Sequence, residues 1–322
     1  MPVVEFQGQS LEFLDEETVL DGLLRHGHLI PHGCRAGVCQ SCIMSAADGE
    51  NVAMAQAGLT NNQKTLNQFL SCQCVPSSSL KVDCVDSSEE KVTGVVTEKT
   101  WLNEQVIRLR LKADLDYIPG QYVTLWKDDQ LARSYSLASH PRTHPYLEFH
   151  IRHYPEGKFS SWVANELSVG DSLDIQGPLG ECFYSAEEAS QPLLLAAIGT
   201  GLAPVYGILQ DALAQSHEGP ITLVVGASHS ASLYLLEELQ VLAGAHDNLQ
   251  IHLVAQDVAT EAIQQGDIYQ YCKSLLPDLG GYRVYLCGAE SFVTKMRKQC
   301  FMAGAGMSGI SADVFLHFGD AE

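Results

Sequence analysis

The sequence predicts a multidomain chain of three consecutive units: a small α+β unit, an antiparallel β-barrel and an α/β unit with a parallel sheet. Three observations predict it. Four cysteines with one characteristic spacing are confined to the first 72 residues. Between residues 92 and 152, apolar and polar side chains alternate in short runs punctuated by Pro and Gly. From Pro192 onward, apolar runs alternate with helical patterns, beginning at a glycine-rich turn. At 322 residues the chain has room for two or three domains, each able to bury a core.

The first unit covers residues 1–86. Val3 to Phe6 and Ser10 to Phe13 form a small hairpin around Gly8. Thr18 to His26 places Val19, Leu20, Leu23 and Leu24 on one helical face, which packs beneath the following loop. That loop is Cys34-Arg-Ala-Gly-Val-Cys39-Gln-Ser-Cys42, answered thirty residues later by Cys72 in Leu70-Ser-Cys-Gln-Cys74. The pattern C-x4-C-x2-C…C is the spacing by which four thiolates hold a [2Fe–2S] cluster. Three sulfurs from one loop require a tight curl, and Gly33 and Gly37 permit it. A structural zinc site usually pairs two knuckles, and Cys34 fits no such spacing. A disulfide framework belongs to secreted chains, whereas Met-Pro-Val-Val-Glu-Phe has no basic region followed by an apolar run, so no signal peptide is expected. The expected metal ligands are Cys34, Cys39, Cys42 and Cys72, with Cys74 a rival for the fourth place. Leu59 to Phe69 is a polar turn and short helix that brings Cys72 back, and Lys81 to Val85 a closing strand. Cys84, Cys182, Cys272 and Cys300 stand alone and read as buried thiols.

Charge narrows the partners. Lys plus Arg number 19 against 39 Asp plus Glu, a net charge of −20, which argues against nucleic acid or an anionic membrane surface. The charge reads first as that of a soluble acidic protein, and second as suited to a basic docking face on an electron-transfer partner. No apolar stretch approaches bilayer length; the longest candidate, Pro192 to Pro204, is broken by Gly199 and Gly201. Ten cysteines read as reduced thiols and cluster ligands, and the cytoplasm is the expected location.

Asp86-Ser-Ser-Glu-Glu90 is small, polar and charged, and is read as a linker. The second unit covers residues 91–188. Val92 to Glu98, Gln105 to Lys112, Gln121 to Trp126 and Tyr146 to Arg152 are its strands, punctuated by Pro119-Gly120 and His140-Pro141, as in an antiparallel barrel. Within it lies Arg133-Ser-Tyr135-Ser136. A flavin needs a cation for its diphosphate, an aromatic plane against its ring and a hydroxyl near the reactive N5, and these residues provide them. Gly157-Lys158-Phe159-Ser160-Ser161 adds hydroxyls and N–H groups at a helix start for phosphate oxygens. Gly177-Pro-Leu-Gly180 reads as a tight turn.

The third unit covers residues 189–322. Leu193 to Ala197 is a buried-type strand running into Gly199-Thr200-Gly201-Leu-Ala-Pro204. Glycines there let a diphosphate approach the backbone, and Pro204 suits the first turn of a helix. Strand and helix then alternate: Ile221 to Val225, Ser232 to Leu242, Ile251 to Ala255, Thr260 to Leu276, Arg283 to Cys287, Glu290 to Ala303 and Asp313 to Leu316. Five strands with crossovers make a parallel sheet covered on both faces. Cys287-Gly288-Ala289 ends the fourth strand, where open α/β sheets bind ligands.

These residues carry a resemblance that spans essentially the whole chain. The four cysteines in their element order resemble a plant-type ferredoxin domain, which implies a β-grasp fold; Gln40 stands where many members carry Gly and crowds the loop. The motifs from Arg133 to Gly180 resemble the FAD-binding barrel of the ferredoxin–NADP reductase family, and Gly199 to Pro204 departs from the ordinary dinucleotide fingerprint in that family's way. The family carries Cys-Gly beside the nicotinamide, matched by Cys287-Gly288, though usually followed by Pro where this chain has Ala289. Asp313-Val-Phe315 matches a place where relatives carry a Glu and an aromatic, with Asp one methylene shorter. The resemblance implies that Ser136, Cys287, Asp313 and Phe315 line the reaction site. It assigns cofactor binding to Arg133, Tyr135, Ser136, Gly157, Lys158, Phe159, Ser160, Gly199, Thr200, Gly201, Pro204, Cys287 and Gly288.

In domain order the chain resembles the NADH-dependent reductase components of bacterial multicomponent oxygenases. That implies FAD, NADH and a [2Fe–2S] cluster as cofactors, and a terminal oxygenase or hydroxylase, or an intermediate ferredoxin, as electron acceptor. A nicotinamide yields two electrons as hydride and the cluster takes one at a time; a flavin can do both and must stand between them. The same parts suit a reductase serving a deoxysugar dehydratase or another non-oxygenase acceptor. A non-catalytic iron–sulfur carrier or redox sensor is the competing class, against which the intact Arg133 to Ser136 and Gly199 to Pro204 motifs argue.

Overall fold

The computed structural model describes residues 2–32, 35–37, 40–47, 50–59, 61–85 and 91–315. The linker read at Asp86 to Glu90 lies outside the described residues, as do Gly33 and two of the four expected cluster ligands, Cys34 and Cys39.

In the first unit β1 (Val3–Phe6) and β2 (Gln9–Glu12) form the expected hairpin. Helix α1 (Val19–Arg25) starts where the Thr18 side chain accepts the Asp21 N–H, a cap that satisfies an otherwise orphaned donor. Val19, Leu20 and Leu23 are fully buried, so the apolar stripe packs as its spacing dictates. Two short strands, β3 (Ile43–Ala46) and β4 (Gln68–Leu70), flank α2 (Asn61–Thr65), and β5 (Leu80–Cys84) closes the sheet. The order is β2-β1-β5-β3-β4, with β5 parallel to β1 and the other pairs antiparallel, the β-grasp arrangement the sequence implied. Cys84 is exposed at the end of β5, which corrects its reading as a buried thiol: it has the parity of the buried Leu80 and Val82 but is the last residue of the strand.

The second unit is a six-stranded antiparallel sheet curled on itself. Its strands are β6 (Lys91–Trp101), β7 (Val106–Lys112), β8 (Tyr122–Trp126), β9 (Ala132–Ser136), β10 (Leu147–Arg152) and β11 (Ser172–Leu179). The order is β10-β7-β6-β11-β8-β9, and the Ala138 N–H, just past β9, donates to the Glu148 carbonyl on β10 at 2.9 Å, drawing the two edges together. Leu109, Leu111, Val123, Leu125, Phe149, Ile151 and Ile175 fill the interior, one face of each alternating strand. Gly177 to Gly180 is no tight turn. Gly177 to Leu179 end β11, where pairing with β8 shifts register between Gln176 and Leu179. Helix α3 (Lys158–Asn165) crosses one end of the barrel. Lys99 on β6 donates to the carbonyls of Val163, Ala164 and Leu167, closing the helix's C-terminal end with a cation, where a helix favours one.

The third unit is a six-stranded parallel sheet of order β15-β14-β13-β12-β16-β17. Its strands are β12 (Leu193–Ile198), β13 (Ile221–Ala227), β14 (Leu249–Ala255), β15 (Ile263–Gln265), β16 (Arg283–Ala289) and β17 (Ile310–Phe315). Both faces are covered, so β12 reads Leu-Leu-Leu-Ala-Ala-Ile without alternation. Leu193, Leu195 and Ala197 pack with α4 (Leu202–Ala214) and α5 (Leu236–Ala245). Leu194 and Ala196 pack with α6 (Ile268–Leu275) and α7 (Glu290–Met302). The segment read as one helix from Thr260 divides into β15 and α6. Ile263 pairs with Leu253, and Asp267, capping the N–H groups of Tyr269 and Gln270, starts the helix afresh. The chain leaves β12 toward β13 and returns on its other side as β16, which sets the switch point of the sheet at the C-terminal ends of β12 and β16. Among the described residues no helix is long and apolar enough to cross a membrane.

Candidate active site

A cavity of about 2320 Å³ lies where the three units meet. Its walls include β9, the start of α3, the turn after β12 and the whole of β17, together with His32, Arg35, Ala36 and Gly37 of the first unit. The sequence-predicted residues Arg133, Tyr135, Ser136, Gly157, Lys158, Phe159, Ser160, Thr200, Asp313 and Phe315 all line this one space.

On β9, the consecutive residues Arg133 to Ser136 line it. The Tyr135 ring rests against Phe159, 5.6 Å between centroids, which fixes the aromatic plane. Arg133 donates from Nη1 to the His32 carbonyl at 2.9 Å and to the Ala132 carbonyl at 2.8 Å, so the predicted phosphate cation also touches the first unit two residues before Cys34. Ser136 Oγ donates to Asp313 Oδ2 at 2.7 Å. Burial pushes the Asp313 carboxyl up to about 6, and the Ser136 hydrogen bond works in the opposite direction. Asp313 thus titrates close to the physiological range while sharing a proton-bearing contact with a hydroxyl on the neighbouring unit.

Register places Cys287 beside Asp313, although its own side chain is fully buried and does not line the cavity. Gly288 likewise pairs with Val314, so the end of β16 stands beside the end of β17. A Cβ at Gly201 would collide with the Cys287 carbonyl, so the glycine at the third position of the turn lets β12 and β16 close up at the switch point. Gly199 has a left-handed φ of 54° and open space where a side chain would stand, the form of a backbone that receives a ligand. Pro204 lies buried in the first turn of α4. Cys182, which sequence reasoning left as an isolated thiol, has its Sγ 3.9 Å from that of Cys287.

At the start of α3 the hydroxyls have a different part from the one expected. Ser160 Oγ donates to the Tyr154 carbonyl at 3.2 Å and accepts the Tyr154 N–H at 3.1 Å, while Ser161 Oγ donates to the carbonyls of Tyr154 and Pro155. They build the loop, which leaves the first-turn N–H groups of the helix as the natural donors to an anion.

In the first unit, Cys42 and Cys72 are both buried. Ser71 brings them together: its N–H and its hydroxyl both donate to the Cys42 carbonyl, at 3.1 and 2.8 Å. Gln40 has a left-handed φ of 56°, the physical reason that a glycine would be at ease there, and its amide donates to the Gly58 carbonyl.

Three family models match the chain in succession. They describe a 2Fe-2S iron-sulfur cluster binding domain over residues 4–77, an oxidoreductase FAD-binding domain over 93–184 and an oxidoreductase NAD-binding domain over 195–298. Along its length the chain is 30% identical to the ferredoxin–NAD(P)+ reductase component of a naphthalene 1,2-dioxygenase system from Pseudomonas putida, covering 97% of this chain and 98% of that one. The chain belongs to the ferredoxin–NADP reductase superfamily, among the reductase components of multicomponent oxygenases. A second relative, from a Ralstonia species and serving naphthalene 1,2-dioxygenase and salicylate 5-hydroxylase systems, is 32% identical over 97% of this reductase and 98% of the relative. Among solved structures, the Amycolatopsis cytochrome P450 reductase GcoB superposes with a TM-score of 0.70 at 26% identity, covering 98% of this reductase and 99% of that chain. The reductase is therefore an oxidoreductase with [2Fe–2S], FAD and nicotinamide as its cofactors. The donor set fits them: two buried thiols drawn together, a cation and an aromatic plane on one strand, and a glycine turn open at a sheet's switch point.

Proposed function

We propose that this reductase takes hydride from NADH and delivers single electrons through the cluster to the terminal oxygenase or hydroxylase of a multicomponent system, in the cytoplasm where NADH is supplied. The observation that supports it most is the single cavity shared by Arg133, Ser136, Thr200 and Asp313 with His32 and Arg35 of the cluster unit. Flavin bound there would accept two electrons together and release them one at a time.

The chain's residues have separable parts in this reading. Arg133 and the N-terminal turn of α3, with Gly157, Lys158, Phe159 and Ser160, hold the diphosphate; Tyr135 supports the ring. Gly199, Thr200, Gly201 and Pro204 receive the nicotinamide dinucleotide, and Cys287 and Gly288 border the nicotinamide. Ser136 and Asp313 form a hydrogen-bonded pair able to hold a proton beside the reacting ring, with Phe315 two residues on covering the site. Cys34, Cys39, Cys42 and Cys72 hold the cluster. NADH-dependent product formation by a purified oxygenase component, requiring the reductase, tests the assignment; cytochrome c reduction without any transfer to oxygenase components would favour a non-oxygenase acceptor.

Arg133→Ala should weaken flavin binding by roughly 10–150-fold, because a charge-assisted contact to a diphosphate is typically worth about 1.5–3 kcal/mol. Flavin retained after gel filtration measures it; unchanged occupancy removes Arg133 from the site.

NADH should be preferred to NADPH. Asp257, at the end of β14, accepts the Ser230 N–H at 2.9 Å, and His229 Nδ1 lies 3.6 Å from the same carboxylate. An anion is thereby tied beside the ends of β13 and β14, where the adenosine ribose would sit, and the nearest imidazole faces it. Like charges in contact cost several kcal/mol, so kcat/KM should favour NADH by tenfold or more, each ~1.4 kcal/mol being a factor of ten. A higher kcat/KM for NADPH would refute this placement.

A further inference from the structure

We propose that Gln73 is a tuning residue for the cluster: its side-chain amide donates to the sulfur of Cys72 and sets the cluster's reduction potential. The inference rests on the reading of Cys72 as the fourth ligand and adds a residue that the ligand spacing does not contain.

The geometry is specific. Gln73 Nε2 lies 3.0 Å from the Arg35 carbonyl, 3.1 Å from the Cys72 carbonyl and 3.5 Å from Cys72 Sγ. Two of these partners are carbonyl oxygens, which only accept. They fix which way the amide points, since the opposite orientation would set the amide oxygen against both of them. With the orientation fixed, it is an N–H that faces the sulfur. Room for the side chain comes from across the loop: a Cβ at Gly37, whose φ is 78°, would press within 2.9 Å of Gln73 Cγ. The same amide therefore joins the turn carrying Cys72 to the loop between Cys34 and Cys39, and points a donor at a ligand atom.

The direction of the effect follows from charge. Reduction adds one electron to the cluster and its thiolates, and a donor aimed at a thiolate favours the more negative state. Hydrogen bonds to cluster sulfurs are among the levers that set these potentials, and partners outside the ligand set commonly tune a metal site. Removing the donor should lower the potential.

The test uses the full-length holoprotein. Wild type, Gln73→Met and Gln73→Glu are purified, and iron content and the EPR signal of the reduced cluster are recorded. The cluster is then titrated with dithionite in the presence of mediator dyes. Met removes the donor; Glu removes it and faces the sulfur with a carboxylate. We expect the equilibrium constant for reduction to fall about tenfold in the Glu variant, about 59 mV for a one-electron couple, with Met between it and wild type. The flavin potential, read in the same titration, should not move. A cluster midpoint equal to wild type in both replete variants overturns the proposal. So does loss of the cluster from both variants while wild type is replete, since Gln73 would then be needed for assembly. Wild-type protein that assembles no [2Fe–2S] cluster would instead refute the ligand reading beneath it.

Discussion

Cys72→Ser should yield a reductase that still reduces ferricyanide with NADH but has lost its cluster and its efficient transfer to cytochrome c, whereas Cys74→Ser should keep both. Each thiolate of a four-ligand cluster is needed, and a hydroxyl binds iron poorly in its place. Both cysteines are buried, at 6% and 3% exposure, so burial alone does not choose between them. The surroundings do. Ser71 ties the turn before Cys72 to the Cys42 carbonyl, and the Gln73 amide faces Cys72 Sγ, whereas the Cys74 carbonyl accepts the Val19 N–H at the start of α1. These contacts favour Cys72 as the proposed fourth ligand, with the backbone of Cys74 tied to the start of α1. Iron content, visible absorbance and EPR of the two variants decide it. A cluster lost in Cys74→Ser and kept in Cys72→Ser would exchange their roles.

The parts of this reductase that were legible in sequence are those where chemistry dictates spacing. Three cysteines within nine residues and a fourth thirty later describe a ligand set before any fold is known. Gly199 and Gly201 mark a strand end because the backbone must come close to something there, and the structure supplies one such neighbour in Cys287. Strands that lack either signal were lost. β3 and β4 are four and three residues long, and no tight glycine turn joins them as Gly8 joins the equally short β1 and β2. β11 was hidden because Gly177-Pro178 reads as punctuation, and β15 because its one inward residue, Ile263, also suits a helical pattern. The Gly266-Asp267 pair before α6 was the signal that could have divided that segment. The Ser136–Asp313 contact spans 177 residues of sequence, so the residues could be named but not their pairing.

The least legible feature carries the other large effect. Arg108, Arg110, Glu148 and His150 alternate with the barrel's core residues on β7 and β10, a pattern that does not say what lies against them. The third unit covers that face. Glu148 is 4% exposed, accepts from Arg110 Nε at 2.6 Å and from His150 Nε2 at 2.9 Å, and has Arg108 Nε at 3.5 Å. Arg108 continues to Glu238 on α5 at 2.7 Å, and the Tyr234 hydroxyl meets His150 Nδ1 at 3.3 Å, so the carboxylate joins two units. Burial alone would raise its pKa; the His150 hydrogen bond and the Arg108 and Arg110 guanidiniums outweigh it and hold the carboxyl down at about 2.

Glu148→Gln should therefore be destabilising, by about 1.5–3 kcal/mol, because it removes the carboxylate shared by two guanidiniums and leaves Arg108 with Glu238 and Arg110 with Glu98 alone. The pH dependence identifies the cause. A carboxyl whose pKa is depressed on folding contributes its stability above the unfolded value, near 4.5, and loses it as pH falls toward the folded value, near 2. The gap between wild type and variant should be full at pH 6 and should shrink steadily between about pH 4.5 and 2. Denaturant unfolding followed by tryptophan fluorescence reads this locally, since Trp101, Trp126 and Trp162, the chain's 3 tryptophans, all lie in the barrel unit. A gap of the same size at pH 3 as at pH 6 would show that the substituted amide fails by its shape, and that the charge of Glu148 is not what binds the barrel to the nicotinamide unit.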